Sequence, residues 1–189
     1  MQVAHVLAVN LLLSKLKINM EMIENKVAKS GLITLDLQIF EPEKEIVPFD
    51  LKDFLFMDLI LKEKDFRDDL TKVNWKSFEG KILAVFCSSD AIIAHWAYML
   101  VVSHLSELEV EVHYGTPEMV RERRLHSSIN KHNWSQYKSK RVLLKGCSNK
   151  ELPPSVYLEA TQKLTPFAER IMYGEACSFV PVYRAPKIK

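Results

Sequence analysis

Glycine is scarce in this chain of 189 residues: there are five, at positions 31, 80, 115, 146 and 174, and each stands alone. Without a glycine-rich loop there is no GxGxxG and no Walker sequence, which excludes both standard phosphate cradles. Cysteine is equally sparse, with three residues and no CxxC. That argues against a disulfide-stapled secreted scaffold and for a reducing, cytoplasmic setting. Net charge is only +2, so no general field draws the chain to nucleic acid or to a membrane surface. The mostly apolar run over residues 3–13 is far short of the ~20 residues that span a bilayer. Lys15 and Lys17 follow that run rather than precede it, and no cleavage site comes after it, so it does not read as a signal peptide.

What is present is ordinary globular material, 48% hydrophobic and 26% charged. A chain of this length hides roughly 70% of its unfolded surface on folding and needs no metal or disulfide merely to fold. Residues 1–21 differ in character from the rest of the chain. They read as a disordered extension or an over-extended reading frame, with Met20 or Met22 as alternative starts. The expectation is a single α/β domain over residues 22–184.

A diverged sequence repeat organises that domain. Asn74-Trp75-Lys76-Ser77-Phe78 leads into the apolar run 81–87 and then Ser88, Ser89 and Asp90. Asn133-Trp134-Ser135-Gln136-Tyr137 leads into a similar run, 140–146, and then Cys147, Ser148 and Asn149. Trp75 and Trp134 are 59 apart (134 − 75), as are Lys81 and Lys140, Tyr98 and Tyr157, and Leu105 and Leu164. Cys87 and Cys147 are 60 apart, so one residue has been inserted in the loop. The copies span about 74–105 and 133–164.

Alternation over 32–40 predicts a half-buried strand, a candidate antiparallel edge. Pro48 confines the extended piece 46–49 to an edge or a bulge. Asp50 heads an expected helix over 51–61, and Asp65 another through Leu70. The run 81–87 reads as a central strand covered on both faces. Ser89 or Asp90 is placed to cap a helix over 91–104 that is too apolar for a surface position. Alternation over 107–114 predicts a strand, Pro117 the first turn of a helix to about Lys131, and 140–146 another strand. Pro153 or Pro154 starts the next helix, which Pro166 breaks in a helical region that Gly174 ends. Residues 178–183 are extended. Strands alternating with helices predict a mainly parallel sheet flanked by helices, built from two related strand–helix–strand–helix halves.

The stretches Val27-Ala28-Lys29-Ser30-Gly31-Leu32, Asp50-Leu51-Lys52-Asp53-Phe54-Leu55, Asp90-Ala91-Ile92-Ile93, Trp96-Ala97-Tyr98-Met99 and Gly174-Glu175-Ala176-Cys177-Ser178 resemble an uncharacterised bacterial family, domain of unknown function 2480. The likeness runs from about Met22 to Tyr183. It carries no catalytic residue over to this chain. It implies genes that lie near those for iron–sulfur cluster assembly. The family pattern has a proline near Ala94 or His95, where this chain has none.

Each cysteine precedes a serine, as Cys87-Ser88, Cys147-Ser148 and Cys177-Ser178. The first two fall at a strand's carboxyl end, just before a helix, where open parallel sheets place ligand crevices and where amides stabilise a thiolate. If the loops converge, Cys87, Cys147 and Cys177, with Asp90 as a fourth ligand, form a candidate site for zinc or an iron–sulfur cluster. The competing reading is three packed core cysteines, and a third is a reactive or sulfur-carrying thiol. Asp90 also reads as a helix cap. His126 and His132 read as solvated, and Arg121, Arg123 and Arg124 as a solvated helix face. Three functions are compatible with these residues: an accessory factor in iron–sulfur or sulfur handling, a partner-binding or homodimerising module, or a small-molecule enzyme at loops 87–91 and 147–152.

Overall fold

The computed structural model describes residues 31–146 and 150–186. The expected N-terminal extension and Cys147 lie outside the described residues. The architecture is α/β, with seven strands among the described residues in two sheets, one wholly parallel and one mixed. Contacts divide the chain into two compact units. One holds the described residues of 1–35, 135–147 and 164–189; the other holds those of 36–134 and 148–163.

The larger unit carries β2 (Ile46–Asp50), β3 (Ile82–Phe86) and β4 (Glu111–Tyr114) in the order β2-β3-β4, all parallel. As expected, Pro48 lies on an edge strand. Its α-helices among the described residues are α1 (Glu63–Leu70), α2 (His95–His104), α3 (Pro117–Lys131) and α4 (Pro154–Leu164), the last residue of which belongs to the other unit. Ile82, Leu83, Ala84 and Val85 are all at most 2% exposed. Leu83 and Val85 join Phe49, Phe66, Leu70, Ala97 and Val101 on one face of the sheet. Ile82 and Ala84 meet Val120 of α3 and Ile46 on the other. The period of two in the strand therefore assigns successive residues to two cores.

The smaller unit is the mixed sheet β1-β5-β6-β7, formed by Leu32–Leu35, Arg141–Lys145, Arg170–Glu175 and Ser178–Arg184. β1 runs parallel to β5, so the antiparallel edge is not the N-terminal strand but β7. Pro181 lies beside a register shift in β7, a position where a strand tolerates the missing amide hydrogen. Gly174 has φ +128°, and a Cβ there would stand 2.6 Å from the Ser178 carbonyl oxygen, so only glycine fits.

Three expectations give way. β1 ends at Leu35 because Asp36 accepts from the Gln38 amide (3.0 Å) and starts a single 3-10 turn, Leu37–Phe40, in place of more strand. The helix expected over 51–61 is another such turn, Leu51–Phe54, followed by a tight turn in which the Phe56 and Ile60 amides and carbonyls exchange hydrogen bonds. Met57 and Asp58 at its tip have φ of 52° and 57°, which no α-helix contains. Residues 170–175 form β6 rather than helix, since pairing with β5 and β7 outweighs a local pattern that does not distinguish the two.

Trp75 and Trp134 act as packing anchors. The Trp75 indole N–H donates to the Leu70 carbonyl (2.9 Å), and that of Trp134 to the Ile129 carbonyl (2.8 Å). Each closes a 3-10 turn, Trp75–Phe78 or Trp134–Tyr137, against the end of the preceding helix. His132, expected to be solvated, instead meets Phe40 and Trp134 edge-on at 5.0 and 4.8 Å, and burial lowers its pKa.

Phe66 is fully buried, whereas Leu158 on α4 is 73% exposed. Phe66→Ala is expected to cost about 3–5 kcal/mol in urea unfolding, and Leu158→Ala no more than about 0.5 kcal/mol.

Candidate functional site

Two adjoining depressions lie at the carboxyl ends of the parallel strands in the larger unit, the side on which open α/β sheets bind ligands. The first, of about 450 Å³, is lined by Cys87, Ser89 and Asp90 after β3, by Tyr114, Gly115 and Thr116 after β4, and by Tyr98 and Met119. Tyr98 and Tyr114 meet edge-to-face at 5.5 Å. Burial, then the neighbouring Tyr114 and Cys87, raises the Tyr98 phenol above its usual pKa, leaving it a neutral hydroxyl at physiological pH. Thr116 caps α3 by accepting from the Met119 amide at 3.4 Å.

Asp50 fixes this end of the sheet. Its carboxylate accepts from the Lys52 amide at 2.9 Å and from the Ser88 amide at 3.0 Å, joining the end of β2 to the residue after Cys87. Burial pushes the Asp50 carboxyl up, but the hydrogen bonds from Ser88 and Lys52 outweigh it and hold the group below its ordinary pKa. Cys87 is half-buried, its sulfur 3.2 Å from the Ser89 hydroxyl.

The second depression, of about 540 Å³, shares Asp90 and Ala91 with the first and adds Asp58, Leu59, Ile60, Leu61, Ile92 and Ala94. Its apolar lining is unusually bare: Ile92 is 97% exposed, Leu59 68% and Ile60 61%. Met57, at the strained tip of the same turn, is 75% exposed. The sequence suggested a helix over 51–61 and another from 91, the second too apolar for a surface position. α2 starts only at His95, with Ala94 rather than Asp90 as its N-cap residue. Ser89 accepts from the Ala91 amide (3.3 Å), and the extended piece after it lets Ile93 reach the core while Ile92 faces water. Met99 and Val102, one helical turn apart, stand on the exposed side of α2.

The expected cysteine site is only partly described. Cys87 lines the first cleft in the larger unit, and Cys177 is exposed at the tip of the β6–β7 hairpin in the smaller one. Cys147 lies outside the described residues. Asp90 is exposed on the shared rim of the two depressions. Among the described residues, no three of His, Cys, Asp and Glu gather into a metal-binding group, and no helix is long and apolar enough to cross a membrane.

Residues 21–185 match the model of a family described as a protein of unknown function, DUF2480. The chain belongs to that family. No curated protein and no solved structure matches it. The surface of this DUF2480 protein therefore has to be read from its own residues. Arg121, expected on a solvated helix face, forms a two-pronged ion pair with Glu41 and donates to the Glu151 carbonyl at 3.1 Å. That pair fixes α3 within its unit and removes the cation from the pool of free surface charge.

Asp50→Ala is expected to lower stability by about 1 kcal/mol, the usual cost of a lost cap. It should also speed the reaction of Cys87 with a disulfide reagent, because the adjoining Ser88 amide loses its anchor. The Asp50 contribution is present above the carboxyl's unfolded pKa and is lost as pH falls through its lowered folded pKa. Melting temperatures of wild type and variant should converge as the pH falls below the ordinary carboxylate range; a constant gap would assign the effect elsewhere.

Proposed function

We propose that this DUF2480 protein is an accessory module that docks a protein partner, another molecule or a second copy of itself, through the apolar depression at residues 57–61 and 91–94. The carrying observation is Ile92, 97% exposed beside Leu59 and Ile60 in one concave surface. Covering a side chain of this size contributes about 1.5–3 kcal/mol, and bare apolar patches rimmed by polar residues mark interaction sites. Here the rim is Asp58 and Asp90. Met57 and Asp58 add a second indication, since non-glycine residues with positive φ cost energy and concentrate at functional surfaces. The sparse cysteines agree with a cytoplasmic setting.

A second reading keeps the accessory role in iron–sulfur or sulfur handling. Cys87 supports it, standing half-buried in the strand-end cleft beside Tyr98 and Tyr114. Metal and sulfide analysis of protein purified without oxygen is its test. Zinc, or iron with sulfide, near one site per chain and lost in Cys87→Ala would establish the thiol site. Its absence after reconstitution would remove it.

Duplication of one ancestral unit is also part of the proposal. The starts of the elements from Trp75, Ile82, His95 and Glu111 are matched 59 positions later by those from Trp134, Arg141, Pro154 and Arg170. The indole of each copy bonds the carbonyl five residues before it.

A photo-crosslinking residue at position 92, expressed in the native host, is expected to give a discrete adduct that the same residue at exposed position 158 does not. Leu59→Ser with Ile60→Ser should abolish that adduct without altering thermal stability. Equal labelling from both positions, or none from position 92, would defeat the docking reading.

A further inference from the structure

Away from both depressions, α3 and α4 face each other through two polar stripes. Glu122, His126 and Asn130 recur every four residues on α3, and Ser155 and Glu159 do so on α4. Partner numbers rise together along the two helices, so the stripes run in the same direction. The Nε2 atom of His126 lies 3.2 Å from the Ser155 hydroxyl, and Nδ1 is hydrogen-bonded to the Glu159 carboxylate. The Asn130 amide donates to the other oxygen of Glu159 and, at 2.9 Å, to the His126 carbonyl. The Ser155 hydroxyl donates its one proton to Glu122, whose carboxylate is 3.7 Å from Nε2.

The geometry points to Ser155 as a nucleophile toward small activated acyl esters, with His126 as its base and Glu159 as the residue that positions the imidazole. A hydroxyl within reach of a ring nitrogen, and a ring whose other nitrogen is held by a carboxylate, is the arrangement that makes serine reactive. It is recognised by roles rather than by sequence order. Ser155 also sits in the first turn of α4, where backbone amides and the helix dipole favour developing negative charge. The His126 side chain is 30% exposed and that of Glu159 18%, so reagents can reach the ring while its anchor stays sheltered.

The reaction balances with an ester and water alone. The Ser155 oxygen bonds to the acyl carbon as its proton passes to Nε2, and the ester C–O bond breaks as that proton passes to the departing alkoxide. Water, deprotonated by the same nitrogen, then attacks the acyl-serine, and the serine oxygen leaves with the proton. Glu122 competes for the hydroxyl proton. Reaction therefore requires a neutral imidazole, toward which the hydroxyl turns from Glu122.

The test is covalent labelling of the full chain with a fluorophosphonate and acylation by p-nitrophenyl acetate between pH 5 and 9, followed by peptide mapping. One adduct, at Ser155, is expected, with none in Ser155→Ala. His126→Gln should slow labelling about 100-fold. Glu159→Gln should change the pH profile of labelling as well as its rate, whereas Glu122→Gln should retain labelling at Ser155. Circular dichroism and melting confirm that each variant is folded. Labelling elsewhere, or a folded His126→Gln that labels as fast as wild type, would overturn the assignment. So would a wild type that does not label while the variants lose only thermal stability, which would make the network a helix clasp.

Discussion

Four consecutive residues of β3, Ile82 to Val85, lose nearly all contact with water, and the larger unit depends on that burial. A strand buried on both faces must be flanked by strands that complete its hydrogen bonds and covered by layers that exclude solvent. β2 and β4 supply the first, and α3 lies over one face while the aromatic cluster around Phe49 and Phe66 covers the other. Because every backbone group of β3 is committed sideways and every side chain is committed up or down, freedom remains only at its ends. The residues after Phe86, including Cys87, Ser89, Asp90 and Ile92, lie where the sheet stops and chemistry can start.

That end is held by polar bonds that need few residues. One carboxylate, Asp50, serves the amide two residues on and the Ser88 amide 38 residues on. The loop is therefore tied at its start but extended through Ala94, and it presents Ile92 to water as a consequence of Ile93 reaching inward. Opposite it, the turn at Met57 and Asp58 accepts backbone strain and turns apolar residues outward. Two segments that each oppose a local preference line one concave surface.

The α3–α4 stripes are built differently. Five polar side chains satisfy one another across two helices, and only helical spacing was visible beforehand. Positions four apart share a face, so Glu122, His126 and Asn130 were bound to align, as were Ser155 and Glu159. Nothing in either segment says that the two faces meet. His126 and His132 looked equally polar in the sequence, yet one is held by carboxylate and hydroxyl and the other by aromatic edges.

By itself the sequence determined the α/β class, the buried central strand, the edge position of Pro48 and the extended course of the C-terminal segment. These follow from periodicity and from the missing amide hydrogen of proline, both of which act within a few residues. The family, too, was legible in its short motifs. Only the tertiary structure decided that β1 pairs parallel to β5, that 170–175 is strand, and that 51–61 is turn rather than helix. It alone placed Ile92 beside Leu59, and His126 against Ser155 and Glu159. Pairing direction, strand against helix in a short apolar run, and contacts across 29 to 33 positions are settled by packing between distant segments, an energy that local spacing does not contain.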